Sequence, residues 1–425
     1  MECFHSEAAW LEFLRNQSAF PVGFRAATGA ISFAPAERPS DDPYTMNLAL
    51  VTAEPPLSVF AGVFTRNQLP GAPVILARER MRGDALAGIL INNKISNVCA
   101  PHGIQDAERL TGALAQRIGG RSRNYLSVST GIIGWSLPVD QMEDRLPAMV
   151  EQLGSADALD VAHAIMTTDS YPKLRTARCG DARVLGIAKG AGMIEPDLAT
   201  MLVFFFTDAL VQRAQLQQIL ASAVESSFNR ISVDGDQSTS DMVLALSSAV
   251  QPVDTAQFAL CLQQLAQQLA HDIVRNGEGT CHVIKATVRG LHDERSAATL
   301  AKGVINSPLV KTAVYGNDPN VGRIVAALGD SAGSNGIELD PGQLRIQIGT
   351  ETVFADGGFQ LDKEKENRLC SYLRDSALEP ALRGYPQHDR TVDIDISCGS
   401  GRGETTVLGS DLSHEYVSEN ADYRT

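Results

Sequence analysis

The chain has 425 residues, enough for two or three folded units, and 44% of them are hydrophobic, so it can bury a large core. Its formal net charge is −14, from 36 basic and 50 acidic residues, which argues against a protein that binds nucleic acid through basic patches. The seven cysteines are scattered and contain no Cys-x-x-Cys pair, so we expect free thiols in a reducing cytoplasm rather than a disulfide framework or a zinc site.

The N-terminal segment predicts a short amphipathic helix rather than a signal peptide. Trp10, Phe13 and Leu14 recur at helical spacing, and acidic residues stand where a signal peptide would be basic. No stretch of the sequence approaches the ~20 apolar residues that span a bilayer. We therefore expect a cytoplasmic protein that is not attached to a membrane.

Two apolar strands in the first half of the chain lead into polar turns. One run, residues 88–92, ends in an Asn-Asn-Lys turn. Another, residues 125–128, is followed by a Ser-Thr-Gly sequence in which the threonine is Thr130 and the glycine is Gly131. A threonine hydroxyl and a glycine N–H at the end of a strand could together stabilise an oxyanion, where one donor typically contributes ~2.7–4 kcal/mol. The same letters are also typical of an ordinary strand-to-turn junction.

The most informative stretch is KGAGMIEPDLATMLVFFF, residues 189–206. Its glycine-punctuated loop, which begins at Lys189, lets the backbone approach a ligand closely. The apolar run after Thr200 predicts a strand buried on both faces. Thr200 thus follows a turn and opens a rigid strand, a suitable place for a nucleophile, although strand-initial threonines are also common for purely structural reasons.

The second half of the chain contains one clear helix, predicted over residues 254–275 from apolar residues at every third or fourth position and ended by Gly277. Glu278 follows that glycine directly. The glycine-rich residues 399–403 predict a hairpin and not a dinucleotide-binding loop, because no helical pattern follows them. The Asp-Gly-Asp at residues 234–236 lacks the spacing of an EF-hand, so we expect a turn there and no calcium site.

Several blocks of the sequence resemble, in the same order, the ornithine acetyltransferase (glutamate N-acetyltransferase) family, part of a wider group that includes the aminopeptidase DmpA. In chain order they are AGVFTRN, STG, MTTDSYPK, KGAGMIEPDLATML, SFNRISVDGDQSTSD, VRNGEG and the terminal HEYVSENADYRT. The similarity extends from about Pro21 to Thr425. It implies an α/β fold of layered sheets and helices that two self-cleaved fragments build jointly.

The resemblance implies that the chain cuts itself at the Ala199-Thr200 bond, by attack of the Thr200 hydroxyl on the Ala199 carbonyl. Residues 1–199 would form an α fragment with the oxyanion hole and the cleavage loop. Residues 200–425 would form a β fragment with the nucleophile and a substrate-binding tail. An N-terminal threonine carries its own base, because its α-amino group, whose usual pKa is ~7.7–8.0, can take the hydroxyl proton.

The resemblance also implies a role for each matching residue. Thr130 and Gly131 correspond to the oxyanion hole. The expected substrate-binding residues are Thr167, Lys189, Thr200, Glu278, Asn420 and Thr425. The implied reaction is ping-pong: Thr200 takes the acetyl group of N2-acetylornithine, ornithine leaves, and glutamate receives the acetyl group to give N-acetylglutamate.

The implied partners are these small amino acids or their analogues and the two fragments themselves, associated as a heterotetramer. No cofactor, metal, nucleic acid or membrane is expected among the partners.

The sequence departs from the family pattern at several positions. Residues 93–96 read Asn-Lys-Ile-Ser where the family has Ser-Gly-Asn-Ala, Trp135 replaces a glutamate, and Val321 replaces a tryptophan. The Glu195-Pro196-Asp197 turn resembles family members of secondary metabolism.

These departures leave three alternatives open. One is a related acyltransferase acting on a modified ornithine or an arginine-like amino acid. A second is an aminopeptidase or amidase like DmpA, in which water accepts the acyl group. A third is a non-catalytic scaffold in which Thr200 is never processed.

Overall fold

The computed structural model describes residues 4–39, 42–195 and 201–422. The predicted cleavage bond Ala199-Thr200 and the terminal Thr425 lie outside the described residues. The chain divides into two compact units. The described residues of the first unit are 8–39, 42–195, 201–229 and 236–273, and those of the second are 4–7, 230–235 and 274–422.

Helices and strands are interspersed along the chain. In chain order the strands are β1 (Phe24–Phe33), β2 (Tyr44–Leu57), β3 (Val59–Phe64), β4 (Leu86–Asn92), β5 (Tyr125–Ser129), β6 (Lys173–Cys179), β7 (Ala182–Lys189), β8 (Leu202–Leu210), β9 (Ile231–Ser232), β10 (Met242–Pro252), β11 (Val283–Leu291), β12 (Arg345–Ile348), β13 (Glu351–Ala355), β14 (Gly358–Phe359), β15 (Val392–Ser397) and β16 (Gly403–Ser410). The helices are α1 (Glu7–Arg15), α2 (Ala72–Arg80), α3 (Gly103–Ile118), α4 (Val139–Glu151), α5 (Ala158–Ala164), α6 (Arg213–Glu225), α7 (Thr255–Arg275), α8 (Glu294–Asn306), α9 (Pro308–Tyr315), α10 (Val321–Asn335), α11 (Lys363–Asp375) and α12 (His414–Asp422).

The first sheet of the first unit has the strand order β1-β2-β4-β5. Strands β4 and β5 run parallel, with α3 as the crossover between them, so their carboxyl ends lie side by side at Asn92 and Ser129. Leu48, Leu50 and Leu90 lie in one buried cluster with side chains of α3 and α4. This face of the sheet is therefore covered by helices, and its end presents the two predicted turns together.

The second sheet of the first unit has the order β3-β10-β8-β7-β6, with β8 in the centre. Phe206 of β8 contacts Phe24, which belongs to the first sheet. The two rings pack in an edge-to-face arrangement with their centroids 5.2 Å apart. Phe205 points to the opposite face, where an added side chain at Gly186 would meet both Phe205 and Leu269 of α7. The first unit is thus layered as helices, two sheets and helices, and the prediction that the apolar run forms a strand buried on both faces is confirmed.

The second unit is built on a sheet with the order β14-β13-β12-β15-β11-β16-β9. Its apolar face carries Ile284, Ile346 and Ile394, which lie in one core cluster with side chains of α8, α9, α10 and α11. Helix α12 follows β16 and ends the described chain. The predicted α/β class of layered sheets and helices is confirmed in both units.

The prediction of a hairpin at residues 399–403 is wrong. This segment joins β15 to β16, but β11 lies between those two strands in the sheet. The loop must therefore cross the end of β11, where a side chain on Gly401 would stand 2.0 Å from the Leu291 carbonyl oxygen. Glycine is needed there for the close approach of two backbones, not for a hairpin turn.

Candidate active site

Three candidate segments meet at one end of the second sheet, at the end of β7 and at the starts of β8 and β10. Lys189 at the end of β7 pairs with Leu202 at the start of β8, and Leu202 pairs in parallel with Met242 at the start of β10. Met201 and Asp241 directly precede those two strand starts and therefore lie one position beyond the row that contains Lys189. The residue that follows Thr200 in the chain is thus held by an aspartate, one position away from the partner of Lys189.

Asp241 is fully buried at this edge, with a side-chain environment that favours the protonated acid. Its Oδ1 accepts a hydrogen bond from the Met201 backbone N–H at 2.7 Å, and its Oδ2 has no hydrogen-bond partner among the described residues. Burial raises the pKa of the Asp241 carboxyl well above its usual range, against the opposing effects of the Met201 hydrogen bond, the Lys189 charge and the nearby Ser238 hydroxyl.

Lys189 carries a buried charge that no described residue neutralises directly. Its residue is 3% exposed, and within the described chain no acceptor or carboxylate bonds to its ammonium group. Its charge acts on the carboxyl groups of both Asp169 and Asp241. A substrate-binding role for Lys189 stays a prediction.

Asp169 joins two predicted substrate-binding segments. Its Oδ2 accepts the Thr167 N–H at 3.1 Å and its Oδ1 accepts the Gly190 N–H at 2.8 Å, while the buried ammonium of Lys173 also donates to Oδ1. Burial alone would raise the pKa of Asp169, but the charges of Lys173 and Lys189 and these hydrogen bonds hold it well below its usual range. Asp169 is therefore ionised, and it lies close to the charges of two buried lysines.

The predicted oxyanion residues follow the carboxyl end of β5. The Thr130 N–H donates to the Asn92 carbonyl at 3.1 Å, and the Ser129 hydroxyl donates to Asn92 Oδ1 at 2.7 Å, which fixes the turn. Gly131 has φ +126°, and a side chain there would stand 2.2 Å from the Lys94 carbonyl carbon. Within the described chain, the Thr130 hydroxyl and the Gly131 N–H have no acceptor, so both donors are available to a ligand.

Asn93 connects this turn to the Thr167 segment. Its side chain accepts the Asn47 N–H at 2.7 Å and donates to the Met166 carbonyl at 2.9 Å. Through Asn93 and Asp169, hydrogen bonds run from the oxyanion turn to the loop after Lys189. The oxyanion turn, the Thr167 segment and the loop after Lys189 are thus tied into one arrangement. Lys189 is also paired with Leu202, at the start of β8.

The candidate residues of the second unit form a separate group. The Asn420 side chain, on α12, donates to Glu278 Oε2 at 2.9 Å. Gly279 has φ +62°, and a side chain there would stand 2.3 Å from the Tyr416 backbone nitrogen, so the Glu278 loop lies tightly against α12. Glu278 and Asn420, which were predicted separately as substrate-binding residues, are therefore in direct contact.

Three carboxylate and amide side chains of the site were not predicted from the sequence: Asn93, Asp169 and Asp241. Each lies inside or beside a block that resembles the family, but its partner is distant along the chain, 40 residues away for Asp241 and 21 for the Gly190 bond of Asp169. Spacing alone carries no signal of such pairs. The predicted roles of Ala199, Thr200 and Thr425 lie outside the described residues and stay predictions.

Two further searches of the described residues bear on ligands. None of their His, Cys, Asp and Glu side chains gather in groups of three or more that could hold a metal ion. None of their helices is both long enough and apolar enough to cross a membrane.

The ArgJ family model matches residues 39–425. The chain belongs to the ArgJ family. The arginine biosynthesis bifunctional protein ArgJ of Geobacter sulfurreducens is 38% identical over 407 residues, covering 92% of this chain and 98% of the relative. The ArgJ protein of Nitratidesulfovibrio vulgaris is 36% identical over 419 residues, covering 96% and 100%. A crystal structure of ArgJ from Bacillus halodurans is 32% identical and covers 50% of this chain and 95% of its own, with a TM-score of 0.44.

Membership of the ArgJ family confirms the resemblance that the sequence blocks indicated. It also confirms the prediction that the protein is an enzyme, an acyltransferase of the glutamate N-acetyltransferase class. The ArgJ relatives are matched over nearly their whole length, so the blocks from both units of this chain belong to one family pattern.

Proposed function

We propose that this ArgJ-family chain is a self-cleaving acetyltransferase of arginine biosynthesis, with Thr200 as its N-terminal nucleophile. It would move the acetyl group of N2-acetylornithine to glutamate through an acyl-enzyme. The observation that carries the proposal is a chain of hydrogen bonds from the turn with Thr130 and Gly131 to the loop after Lys189, which is paired with the start of β8. The names of the ArgJ relatives support the pathway.

Cleavage comes first in the proposed mechanism. The Thr200 hydroxyl attacks the Ala199 carbonyl carbon, the peptide C–N bond breaks, and the amine takes the proton that the hydroxyl lost. Water then hydrolyses the ester, which leaves Thr200 with a free α-amine. This amine can act as the base for its own hydroxyl, which is otherwise a weak nucleophile.

Acetyl transfer then uses the same hydroxyl twice. Thr200 attacks the acetyl carbonyl of acetylornithine, and the Thr130 hydroxyl and the Gly131 N–H donate to the oxyanion. Ornithine leaves with the proton held by the α-amine, and the acetyl group stays on Thr200 as an ester. Glutamate attacks this ester by its amino group and leaves as N-acetylglutamate. Two donors of fixed position stabilise both tetrahedral intermediates.

Charge complementarity supports amino-acid substrates. Acetylornithine and glutamate both carry an α-carboxylate, and Lys189 offers a buried ammonium with no partner among the described residues. Thr167, positioned by Asp169, would contact the same substrate. Glu278, held by Asn420, would receive the side-chain ammonium of ornithine. Thr425 is assigned to the substrate by the family pattern alone.

The two proposed fragments, residues 1–199 and 200–425, would stay together after cleavage. Strands β3, β6 and β7 precede the bond and β8 and β10 follow it, yet all five belong to one sheet. The pairing of β7 with β8, taken by itself, already joins the two fragments over six residue pairs. We extend the proposal to a heterotetramer of paired fragments.

The proposed reaction is tested by incubating the purified protein with acetylornithine and labelled glutamate. We expect labelled N-acetylglutamate and free ornithine in equal amounts. When glutamate is omitted, ornithine release should stop after a single acylation of each enzyme molecule. Continued ornithine release without glutamate would contradict transfer and support an aminopeptidase or amidase. A cleaved protein that turns over neither substrate would contradict acetylornithine as the donor.

A further inference from the structure

A cavity of about 510 Å³ lies in the first unit, where the chain enters strands β4 and β5. Its walls come from residues 79–85, which lead into β4, and residues 121–124, which lead into β5. Because β4 and β5 are parallel, the oxyanion turn follows their opposite ends. Strands of seven and five residues, at about 3.3 Å per residue, separate the cavity from that turn by roughly 13–20 Å. The cavity is therefore not part of the candidate active site.

The charged side chains of this cavity, here called the arginine cavity, are mostly positive. Its lining includes four arginines and two acids: Arg80, Arg82, Arg121, Arg123, Glu79 and Asp84. Within the part of the chain that the structure describes, the exposed guanidinium groups of Arg82, Arg121 and Arg123 form no ion pair. A concave wall of one charge sign concentrates ligands of the opposite sign. In a chain of net charge −14, this cavity is a place where a small anion can bind.

Arg80 is the buried member of the group. Its Nη1 donates to the Thr111 hydroxyl at 3.0 Å and to the Tyr125 carbonyl at 2.7 Å. No described residue accepts a hydrogen bond from its Nε or Nη2, so these donors are left for a ligand in the cavity. Burial lowers the pKa of Arg80, against the charges of Glu108 and Glu79, but a guanidinium stays charged in proteins. The cavity thus contains a cation that the surrounding structure holds in place.

Side-chain hydrogen bonds fix both walls of the arginine cavity. Asn124 Nδ2 donates to the Ala85 carbonyl at 2.8 Å, and Asn124 Oδ1 accepts the Arg121 N–H at 3.0 Å, which joins one wall to the other. Arg213 of α6 donates to the Gly83 carbonyl at 2.6 Å and so holds the loop before β4. Walls that are ordered in advance lose less conformational entropy when a ligand binds.

We propose that the arginine cavity is a second ligand site, which binds a metabolite bearing a phosphate or diphosphate group. Its four guanidinium groups exceed its two carboxylates by two charges, and a phosphate monoester carries about −1.5 to −2 at neutral pH. The fork of N–H groups on a guanidinium also matches two phosphate oxygens at once. A single carboxylate would leave one of the two charges unbalanced.

The size of the cavity fits a phosphate attached to an organic group. Small-molecule sites typically measure about 300–1,000 Å³, and the volume of about 510 Å³ lies within that range. Glu79 and Asp84, both exposed in the lining, can accept hydrogen bonds from hydroxyl groups of the organic part. The site lies apart from the bond before Thr200, so binding does not depend on cutting.

Isothermal titration calorimetry of the full chain tests the proposal, with pyrophosphate as the probe in about 0.15 M salt. The cavity variant is Arg82→Gln with Arg123→Gln, which removes two exposed charges and breaks no ion pair of the described chain. The matched control is Arg15→Gln with Arg178→Gln. These are two exposed arginines of the same unit, outside the cavity lining and likewise in no ion pair with a described residue.

We expect one pyrophosphate per chain with a Kd of about 1 mM or lower. The cavity variant should raise Kd at least about tenfold, since two charge-assisted contacts are lost, whereas the control variant should match the wild type. Both variants should melt at the wild-type temperature without ligand, and pyrophosphate should raise the melting temperature of the wild type and the control more than that of the cavity variant. No saturation up to about 10 mM, or an equal loss in the control, would overturn the inference.

Titrations with AMP and citrate identify the chemistry of the ligand. AMP binding more tightly than pyrophosphate indicates a phosphate ester, and the reverse order indicates a free diphosphate. Both results support the site, provided that the cavity variant weakens them. Citrate, an anion of similar charge without phosphorus, should bind more weakly, and citrate binding as tightly as pyrophosphate would overturn a phosphate site.

Uncut Thr200→Ala separates this inference from the proposed function. It should bind pyrophosphate as the wild type does. A wild type that binds pyrophosphate but is not cut keeps the arginine cavity as a site and removes the proposed mechanism. A cut and active wild type that binds no pyrophosphate removes only the arginine cavity.

Discussion

At the scale of single residues, the site is organised by buried charges whose partners are far apart in sequence. Asp169 is the clearest case, because it holds two backbone N–H groups and a lysine at once. The sequence indicated Thr167 and Lys189 through family resemblance, but nothing in it showed that one carboxylate positions both. Such a role depends on which strands become neighbours, and no local pattern encodes that.

Asp169→Asn should destabilise the protein and weaken substrate binding together. It removes the charge partner of Lys173, which is 0% exposed, and breaking a buried ion pair costs about 3–5 kcal/mol. Chemical denaturation measures the first effect, and KM for acetylornithine measures the second. Asp272→Asn is the control, since it breaks the buried pair with Arg175 in the same unit and should destabilise without raising KM.

The ion pair of Asp169 and Lys173 makes the stability of the protein depend on pH. The pKa of Asp169 is lower in the folded protein than in the unfolded chain, so the unfolded state binds more protons as the pH falls. Its stabilising contribution is complete above the unfolded value of about 3.9 and is lost below it. Denaturation curves should show this loss below about pH 4 in the wild type and a smaller loss in Asp169→Asn. Identical slopes in the two proteins would contradict an ionised Asp169.

Lys189→Met should separate stability from function. Because no described residue pairs with the Lys189 ammonium, replacing it by an apolar side chain of similar length removes a buried charge and should leave the melting temperature unchanged or raised. KM for acetylornithine should rise at least about tenfold, since a carboxylate partner is lost.

Lys311→Met is the control for Lys189→Met. The Lys311 ammonium donates to the Val233 carbonyl at 2.8 Å and also to the Ser410 carbonyl, so its removal leaves buried acceptors without donors and should destabilise. A Lys189 variant that is destabilised to the same degree, with KM unchanged, would show that this lysine has a structural role.

Lys94 shows how a departure from the family pattern acts on the backbone. It has φ +72°, in the left-handed region that glycine adopts most easily, at the position where the family pattern has glycine. Its backbone forms the close contact that requires glycine at position 131. The departure is therefore accommodated with the turn intact, at a cost of about 1–2 kcal/mol.

At the scale of helices and strands, the pattern of apolar residues predicted the elements whose formation depends on burying an apolar face. The apolar run after Thr200 became the central strand β8, and the three-to-four spacing over residues 254–275 became α7, Thr255–Arg275. The order of strands could not be obtained in this way. Residues 399–403 show why: the local pattern suits a hairpin, but β11 occupies the place between the two strands and forces a crossing.

The shared sheet predicts that cleavage does not separate the fragments. After cutting, β7 and β8 keep their antiparallel pairing, and β8 keeps its place between β7 and β10. On size-exclusion chromatography without denaturant, both fragments should elute in one peak that denaturing electrophoresis resolves into two bands. Elution of the fragments in separate peaks would contradict a sheet built jointly by both.

At the scale of the whole molecule, the acidic chain uses positive charge sparingly and locally. The net charge is −14, yet two buried lysines, Lys173 and Lys189, lie close to Asp169 at one end of the second sheet. A protein whose substrates are small carboxylates needs positive charge only where they bind. The family pattern runs through both units, and the account of function depends on one event in the chain, the cutting of the bond before Thr200.

The intact mass of the denatured wild-type protein, measured beside Thr200→Ala, tests that event most directly. Dividing 45.5 kDa in the proportion 199:226 gives fragments of roughly 21 and 24 kDa. We predict both fragments in the wild type and one uncut chain in Thr200→Ala. A wild-type chain that remains whole at 45.5 kDa would contradict the N-terminal nucleophile and, with it, the proposed mechanism.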